Sequence, residues 1–338
     1  MQHTLQITLG IASALISAGT LLAEVPSMHP ARQAASLIPV LDESWTLVAK
    51  NPELGELAGA SQEVVDFAIW QAADSTWQIW ACVRKTAEPG KSRLFHRWEG
   101  RSVVSEYESK GVAMRADPTL GETPGGMQAP YVIREGGEFR MFYGDWVNIC
   151  AQAGTDGKSF TRLLNSGGVP ALFDEGPAAN ARDPMLIQIG GLWHCYYTAH
   201  PGDVGSVFVR TSSDLVNWSE GRIVAPGGAD PYSVKFAAEC PFVVEPVPGE
   251  YYLFLTQRYG RNSQTTVVRS SDPLDFDFGR DPEKIMCLLP IAAPEVFQHD
   301  GQWFVAAVAP DYSGVQITTL RWKEVNAGGQ SIDDSPGP

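Results

Sequence analysis

The chain has 338 residues, 44% of them hydrophobic and 19% charged, with a formal net charge of −14. That composition suits a globular chain with a large core, built as one β domain or two smaller ones. The acidity excludes a nucleic-acid partner, whose phosphates need a basic surface, and argues against an anionic membrane face.

The chain opens on MQHTLQITLGIASALISAGTLLA, where residues 7–22 are mostly apolar. This stretch is too short and too rich in small residues for a membrane span. Residues 1–23 are therefore expected to be a signal peptide cut after Ala23, although the segment before the apolar run has His3 and no Lys or Arg. The protein would then be exported, periplasmic or secreted. Residues 24–60 are broken by Pro26, Pro30, Pro39 and Pro52. They read as a lead-in that wraps the domain, with a short helix or strand around 44–50. No later stretch reaches membrane-spanning length.

From residue 61 the chain repeats. Each unit is an apolar run, a short turn and an aromatic-rich second run. The clearest two begin Ala181-Arg182-Asp183-Pro184-Met185 and Ala238-Glu239-Cys240-Pro241-Phe242. A proline at the first residue of a strand breaks no ladder bond, so each carboxylate before it should sit at the mouth of a strand. Gln128-Ala129-Pro130-Tyr131 and Ala293-Pro294-Glu295-Val296 repeat the pattern, and Val65-Asp66-Phe67-Ala68 repeats it without the proline. Registered on the proline position the starts are 67, 130, 184, 241 and 294.

A period near 50 marks a propeller with one four-stranded blade per repeat. Gly136-Gly137, Gly190-Gly191 and Asp300-Gly301 fall where the first hairpin of a blade should turn. Third strands are expected at 94–98, 207–211 and 265–269, while fourth strands are hard to place. The predicted fold is all-β: a five-bladed β-propeller in a single domain over 61–325, followed by a disordered tail at 326–338, rich in Gly, Ser, Asp and Pro.

The five cysteines (Cys82, Cys150, Cys195, Cys240 and Cys287) form no C-x-x-C pair and no metal-ligand spacing, so no metal site is predicted. The odd count leaves at least one free thiol, and Cys82 and Cys195 lie in apolar runs that suit buried structural cysteine. An exported chain permits one disulfide, whose partners the pattern does not name.

First strands line a propeller's channel, so residues at their starts converge at one mouth. Here these are Asp66, Gln128, Asp183, Glu239 and Glu295, with Arg182 beside them. Clustered carboxylates raise each other's pKa, which suits acid/base work. Any one of them alone reads as a solvated strand-edge acid; the matching repeat positions favour function. The neighbours of Glu239 are small or apolar, a setting that should desolvate its carboxyl. Trp70, Trp146, Trp193, Tyr196 and Tyr197 could stack on a ligand ring, although blade packing explains most of them. His194 and His200 read as surface or satisfied core histidines.

With the Arg182-Asp183-Pro184 and Glu239-Cys240 motifs in place, the chain resembles the five-bladed propeller glycoside hydrolases of families 43, 32 and 68. The order Asp66, Asp183, Glu239 and the Ser-Asp-Leu-Val-Asn-Trp turn at 213–218 are similar to those families over roughly residues 60–323. The first acid departs from the family 32 motif, and no room remains after residue 325 for that family's C-terminal sandwich. The resemblance implies a glycosidase acting on arabinosides, xylosides or fructosides. Asp66 would be base or nucleophile, Asp183 would orient the sugar and tune pKa, and Glu239 would be the general acid. Arg182, Gln128, Trp70, Trp146 and Glu295 would contact substrate, with Arg182 donating to sugar hydroxyls. The resemblance also admits a structural calcium in the channel without naming its ligands. The partner would be a carbohydrate and the protein a monomer. Two other readings share the fold: a non-catalytic propeller that binds glycans or proteins, and a glycoside phosphorylase, for which Arg258 and Arg261 are the nearby phosphate candidates.

Overall fold

The computed structural model describes residues 36–227 and 235–325. The expected signal peptide, the first part of the lead-in and the expected tail lie outside the described residues. Among the described residues helix is confined to three-residue 3₁₀ turns, and everything else regular is strand. No helix is long and apolar enough to cross a membrane.

Five antiparallel sheets follow one another along the chain, as the repeat predicts. Blade I is Glu63–Gln71, Trp77–Arg84, Leu94–Gly100 and Glu108–Met114. Blade II is Gln128–Glu135, Glu138–Gly144 and Ile149–Gly154, edged by the short strands Thr161–Arg162 and Ala171–Phe173. Blade III is Arg182–Ile189, Leu192–Ala199, Ser206–Ser212 and Arg222–Pro226, and blade IV is Glu239–Val247, Glu250–Arg258, Gln264–Ser270 and Ile285–Leu289. Blade V takes Glu295–His299, Gln302–Val308 and Gly314–Val325 from the end of the chain. Its outer edge comes from the other end: Ser36–Leu41 and Thr46–Lys50 both pair with Gly314–Val325. Two strands of the segment read as a lead-in are thus the outer edge of the last blade, and the ring closes there.

The local chemistry explains the hairpins. Gly136-Gly137, Gly190-Gly191 and Asp300-Gly301 have positive φ at both positions. Two-residue turns of this hand match the twist of the strands they join, and such residues tolerate the conformation. Second strands are buried on both sides, as in Trp77–Arg84, where only Arg84 is not buried. Their aromatic residues fill the space between blades, for example Tyr143, Tyr196 and Phe254.

The feature that places the site is a kink repeated at the start of every first strand. Asp66, Ala129, Asp183, Cys240 and Ala293 all have φ between 36° and 57°. Each stands just before the proline position of its repeat. In blades I to IV the pairing of first and second strand skips at this residue. Such a bulge re-aims side chains, and a non-glycine residue held in the left-handed region carries strain that the surrounding sheet must hold.

Candidate active site

The kink sorts the predicted residues into two levels. The channel is lined by the triplets beginning at Ala129, Asp183, Cys240 and Ala293, the residue at each kink and the two after it, and in blade I by Asp66 and Phe67. The channel there is narrow, with about 20 Å³ of free space, room for about one water. The residues one earlier, Gln128, Arg182 and Glu239, line a cavity of about 640 Å³ above it. Asp66 borders both spaces. The predicted acids therefore do not share one repeat position. Asp183 stands at the kink of its strand and borders the channel, whereas Glu239 stands one residue before the kink of its own and borders the cavity.

Asp66 Oδ1 accepts hydrogen bonds from the Tyr259 hydroxyl at 2.6 Å and from the Cys240 thiol at 3.3 Å. Burial, reinforced by Asp66, pushes the Tyr259 hydroxyl well above its usual range, so it stays a donor. Asp183 Oδ2 accepts the Cys240 N–H at 3.0 Å, and Asp183 Oδ1 has no partner among the described residues. Glu239 is held by Arg182 through both oxygens, Nη2 to Oε1 at 2.6 Å and Nε to Oε2 at 3.1 Å. Arg182 Nη1 donates to the Asn180 carbonyl at 2.9 Å and to His200 Nδ1 at 3.0 Å. Burial works against the charge of this guanidinium, but Glu239 and Asp183 outweigh it and hold Arg182 protonated. His200 is held neutral, its pKa lowered to about 4 by burial and by Arg182, which leaves Nδ1 free to accept.

Two expectations change here. Glu239 meets a guanidinium rather than an apolar wall. Arg182, expected to donate to a sugar, lines the cavity, and there it already donates through Nε, Nη1 and Nη2 to protein acceptors.

Burial raises the Asp183 carboxyl well above its ordinary range, and the charges of Glu239 and Asp66 add to it, with Arg182 and the Cys240 N–H offsetting only part. Folded Asp183 thus holds its proton more tightly than the unfolded chain does, and ionising it opposes folding. Stability is expected to fall as pH rises from about 4, the unfolded value, toward the displaced folded value. In Asp183→Asn that stretch of the stability–pH curve should flatten. Urea unfolding at stepped pH reads this directly, and an unchanged slope would place the proton on another group.

The other predicted contacts divide. Gln128 lines the cavity and is 2% exposed, and its side-chain amide bonds to no described residue. Trp146 also lines the cavity, held at φ 84° in a tight turn. The turn is fastened by Asp145 Oδ1, which accepts the N–H groups of Val147 at 2.9 Å and Asn148 at 2.6 Å. Glu295 lies in the channel, buried, its carboxyl pushed well up by burial. Trp70 is placed elsewhere: it packs against Trp80 and Phe160, and its ring N–H donates to the Gly157 carbonyl at 2.8 Å. Its packing partners lie in blades I and II, which corrects the expectation that it meets substrate.

Sequence reasoning missed Arg84, Arg93, Asn180, Lys235, Gln257 and Tyr259, all of which line the cavity. Arg84 closes the second strand of blade I, while Gln257 and Tyr259 stand at the end of that of blade IV. Ends of second strands pair with starts of first strands, as Glu63 does with Arg84. That pairing was the available signal. Of the two phosphate candidates, Arg258 lines the cavity, whereas Arg261 belongs to a separate shallow depression with Leu47 and Asp311.

A calcium does not suit the channel cluster. Asp66, Asp183 and Cys240 bring one ligand atom each within 4.8 Å of one another, but one of the three is sulfur. Calcium takes six to eight oxygens, and Asp66 Oδ1 is already engaged by Tyr259 and Cys240.

The ring of five blades and the acids at its mouth define the class: a five-bladed β-propeller with the fold of the glycoside hydrolases of families 43 and 32. Among solved structures, the chain is similar to a thermostable family 43 glycoside hydrolase, at 19% identity and TM-score 0.58, covering 86% of this chain and 99% of that one. It is similar to the endo-arabinase of Bacteroides thetaiotaomicron, at 12% identity and TM-score 0.57, covering 81% and 98%. It also matches the family 32 β-fructofuranosidase of Bombyx mori, at 14% identity and TM-score 0.56, covering 85% of this chain and 63% of that one. At these identities the likeness is one of fold. No protein-family model and no curated protein sequence matches the chain.

Proposed function

We propose that the protein is an exported glycosidase that hydrolyses an arabinoside, xyloside or fructoside bond. The observation that carries this reading is that Asp66 and Glu239 border one cavity of about 640 Å³, with Asp183 directly beneath in the channel. Glycoside hydrolysis needs a pair of carboxyl groups flanking the scissile bond.

Glu239 gives a proton to the leaving oxygen as the C1–O bond breaks. Asp66, its Oδ1 fixed by Tyr259, either takes a proton from the attacking water or attacks the anomeric carbon itself, after which water releases the sugar. Asp183, which holds a proton more firmly than an ordinary carboxyl, sets the charge between them. Gln128 and Asn180 offer sugar hydroxyls side-chain amides whose oxygens have no partner among the described residues. The apolar amino-terminal stretch supports export, and the protein acts as a monomer on a carbohydrate.

A panel of chromogenic arabinosides, xylosides and fructosides tests the reading, run with and without phosphate. Phosphate-independent release of the chromophore from at least one member is expected. No turnover of any member, with glycan binding retained, would favour a non-catalytic binding propeller. Turnover only with phosphate would make the protein a phosphorylase.

A further inference from the structure

The cavity is cationic in a strongly acidic protein. Arg84, Arg93, Arg182, Lys235 and Arg258 line it, against the carboxylates of Asp66 and Glu239, while the whole chain carries −14. Three of these cations have ion-pair partners, Arg182 with Glu239, Lys235 with Asp203 and Arg84 with Glu63, and Arg258 is engaged as well.

The wall formed by blades I and II is different. Arg93 has no carboxylate within ion-pair distance among the described residues. Its guanidinium lies 5.1 Å from the centre of the Trp146 ring, and its one polar side-chain contact is a long one, 3.9 Å to the Cys82 sulfur. Arg84 reaches Glu63 through Nε alone, at 2.7 Å, which leaves Nη1 and Nη2 without hydrogen bonds to described residues. Beside them Gln128, 2% exposed, has an amide that bonds to no described residue: its oxygen is buried without a partner, and its NH₂ group is the donor it can offer an anion. The Arg93 N–H is bonded to the Gly125 carbonyl, so the segment leading to Gln128 and the arginine are joined by backbone. Trp146, strained at φ 84°, presents its ring to both Arg93 and Lys91. A guanidinium presents a planar fork matched to two oxygens of a carboxylate, sulfate or phosphate. Two such guanidinium ends and the Gln128 NH₂ group on one wall of a cavity can receive an oxyanion, whereas a neutral sugar would leave Arg93 without a charged partner among the described residues.

We propose that Arg84, Arg93 and Gln128 form an anion subsite next to Asp66, so that the natural ligand carries a negatively charged oxygen group. That group is a uronate or sulfate on the sugar, or a free phosphate bound with it. This rests on the glycosidase reading only for the identity of the rest of the ligand.

Equilibrium binding by titration calorimetry on the full chain tests the subsite without relying on turnover. The probes are galacturonate against galactose, glucuronate against glucose, and inorganic phosphate alone, at low and high salt. At least one acidic sugar should bind on the order of 10–100-fold more tightly than its neutral partner, the range of a charge-assisted hydrogen-bonded contact. The advantage should shrink at high salt and vanish in Arg93→Gln, with neutral-sugar binding kept. Arg93→Lys, which retains the charge without the fork, should recover only part. Phosphate binding that Arg93→Gln abolishes, without preference for acidic sugars, would support the subsite and assign it to free phosphate. Thermal unfolding of each variant separates lost binding from lost folding, and Arg84→Gln serves if Arg93→Gln does not fold. Equal binding of acidic and neutral sugars with no phosphate binding would overturn the proposal, as would an acidic preference that survives both substitutions. Turnover of neutral glycosides in that case would leave the glycosidase reading standing. Acidic preference without any turnover would sink that reading and keep the subsite.

Discussion

Asp66→Asn should abolish turnover while leaving the fold in place. The side chain stands at the kink of blade I, where the strand pairing skips between Val65 and Phe67 and φ is 36°. Asparagine tolerates this conformation and still offers an oxygen to the Tyr259 hydroxyl, so the 2.6 Å contact can persist. An amide can neither take a proton from water nor attack an anomeric carbon. A positioned general base contributes about 10²–10⁴-fold, and the loss in kcat should be at least of that order. The measurement is kcat on the best glycoside, with the thermal midpoint as a control for folding. A variant with normal stability and normal kcat would remove Asp66 from the reaction, leaving the proposed pair without one member.

Glu239→Gln should separate substrates by their leaving group. On natural glycosides the loss should be about 10²–10⁴-fold, because the amide has no proton to give. On dinitrophenyl glycosides, whose leaving group departs without one, the loss should be much smaller. Arg182 adds a second consequence. It is 4% exposed and grips both Glu239 oxygens. Glu239→Ala would leave that guanidinium without its main partner, and breaking a buried pair this way costs about 3–5 kcal/mol. Glutamine keeps one acceptor and should cost less. Equal kinetic losses on both substrate types would mean that Glu239 serves to anchor Arg182 rather than to donate a proton.

Much of the fold was legible because the propeller writes itself locally. The prolines at 130, 184, 241 and 294 open the inner strands, and paired positive-φ residues turn the hairpins, all within short stretches of chain. The site was legible only to within a residue. Reading Asp66, Gln128, Asp183, Glu239 and Glu295 as equivalents overlooked the kink, which sends neighbouring side chains to the channel and to the cavity. Trp70 looked like a sugar platform because aromatic content alone does not tell a packing face from an open one. The arginines of the cavity wall were missed for a different reason. Arg84 lies 18 residues from Asp66 in sequence and comes near it only because second-strand ends return to first-strand starts.

The closure of blade V bears on how the chain is made. Blades I to IV can pair their strands soon after each leaves the ribosome, since every partner is close in sequence. The strands Ser36–Leu41 and Thr46–Lys50 are made first, yet their partner Gly314–Val325 is made last. The Leu37 N–H of the first of them donates to the Tyr252 hydroxyl of blade IV at 3.1 Å, so that contact too must wait for a strand made much later. Pairings this distant in sequence are slow to form, and unpaired edges invite association between chains. Nascent protein should therefore be most prone to aggregation in the interval before its final strand emerges.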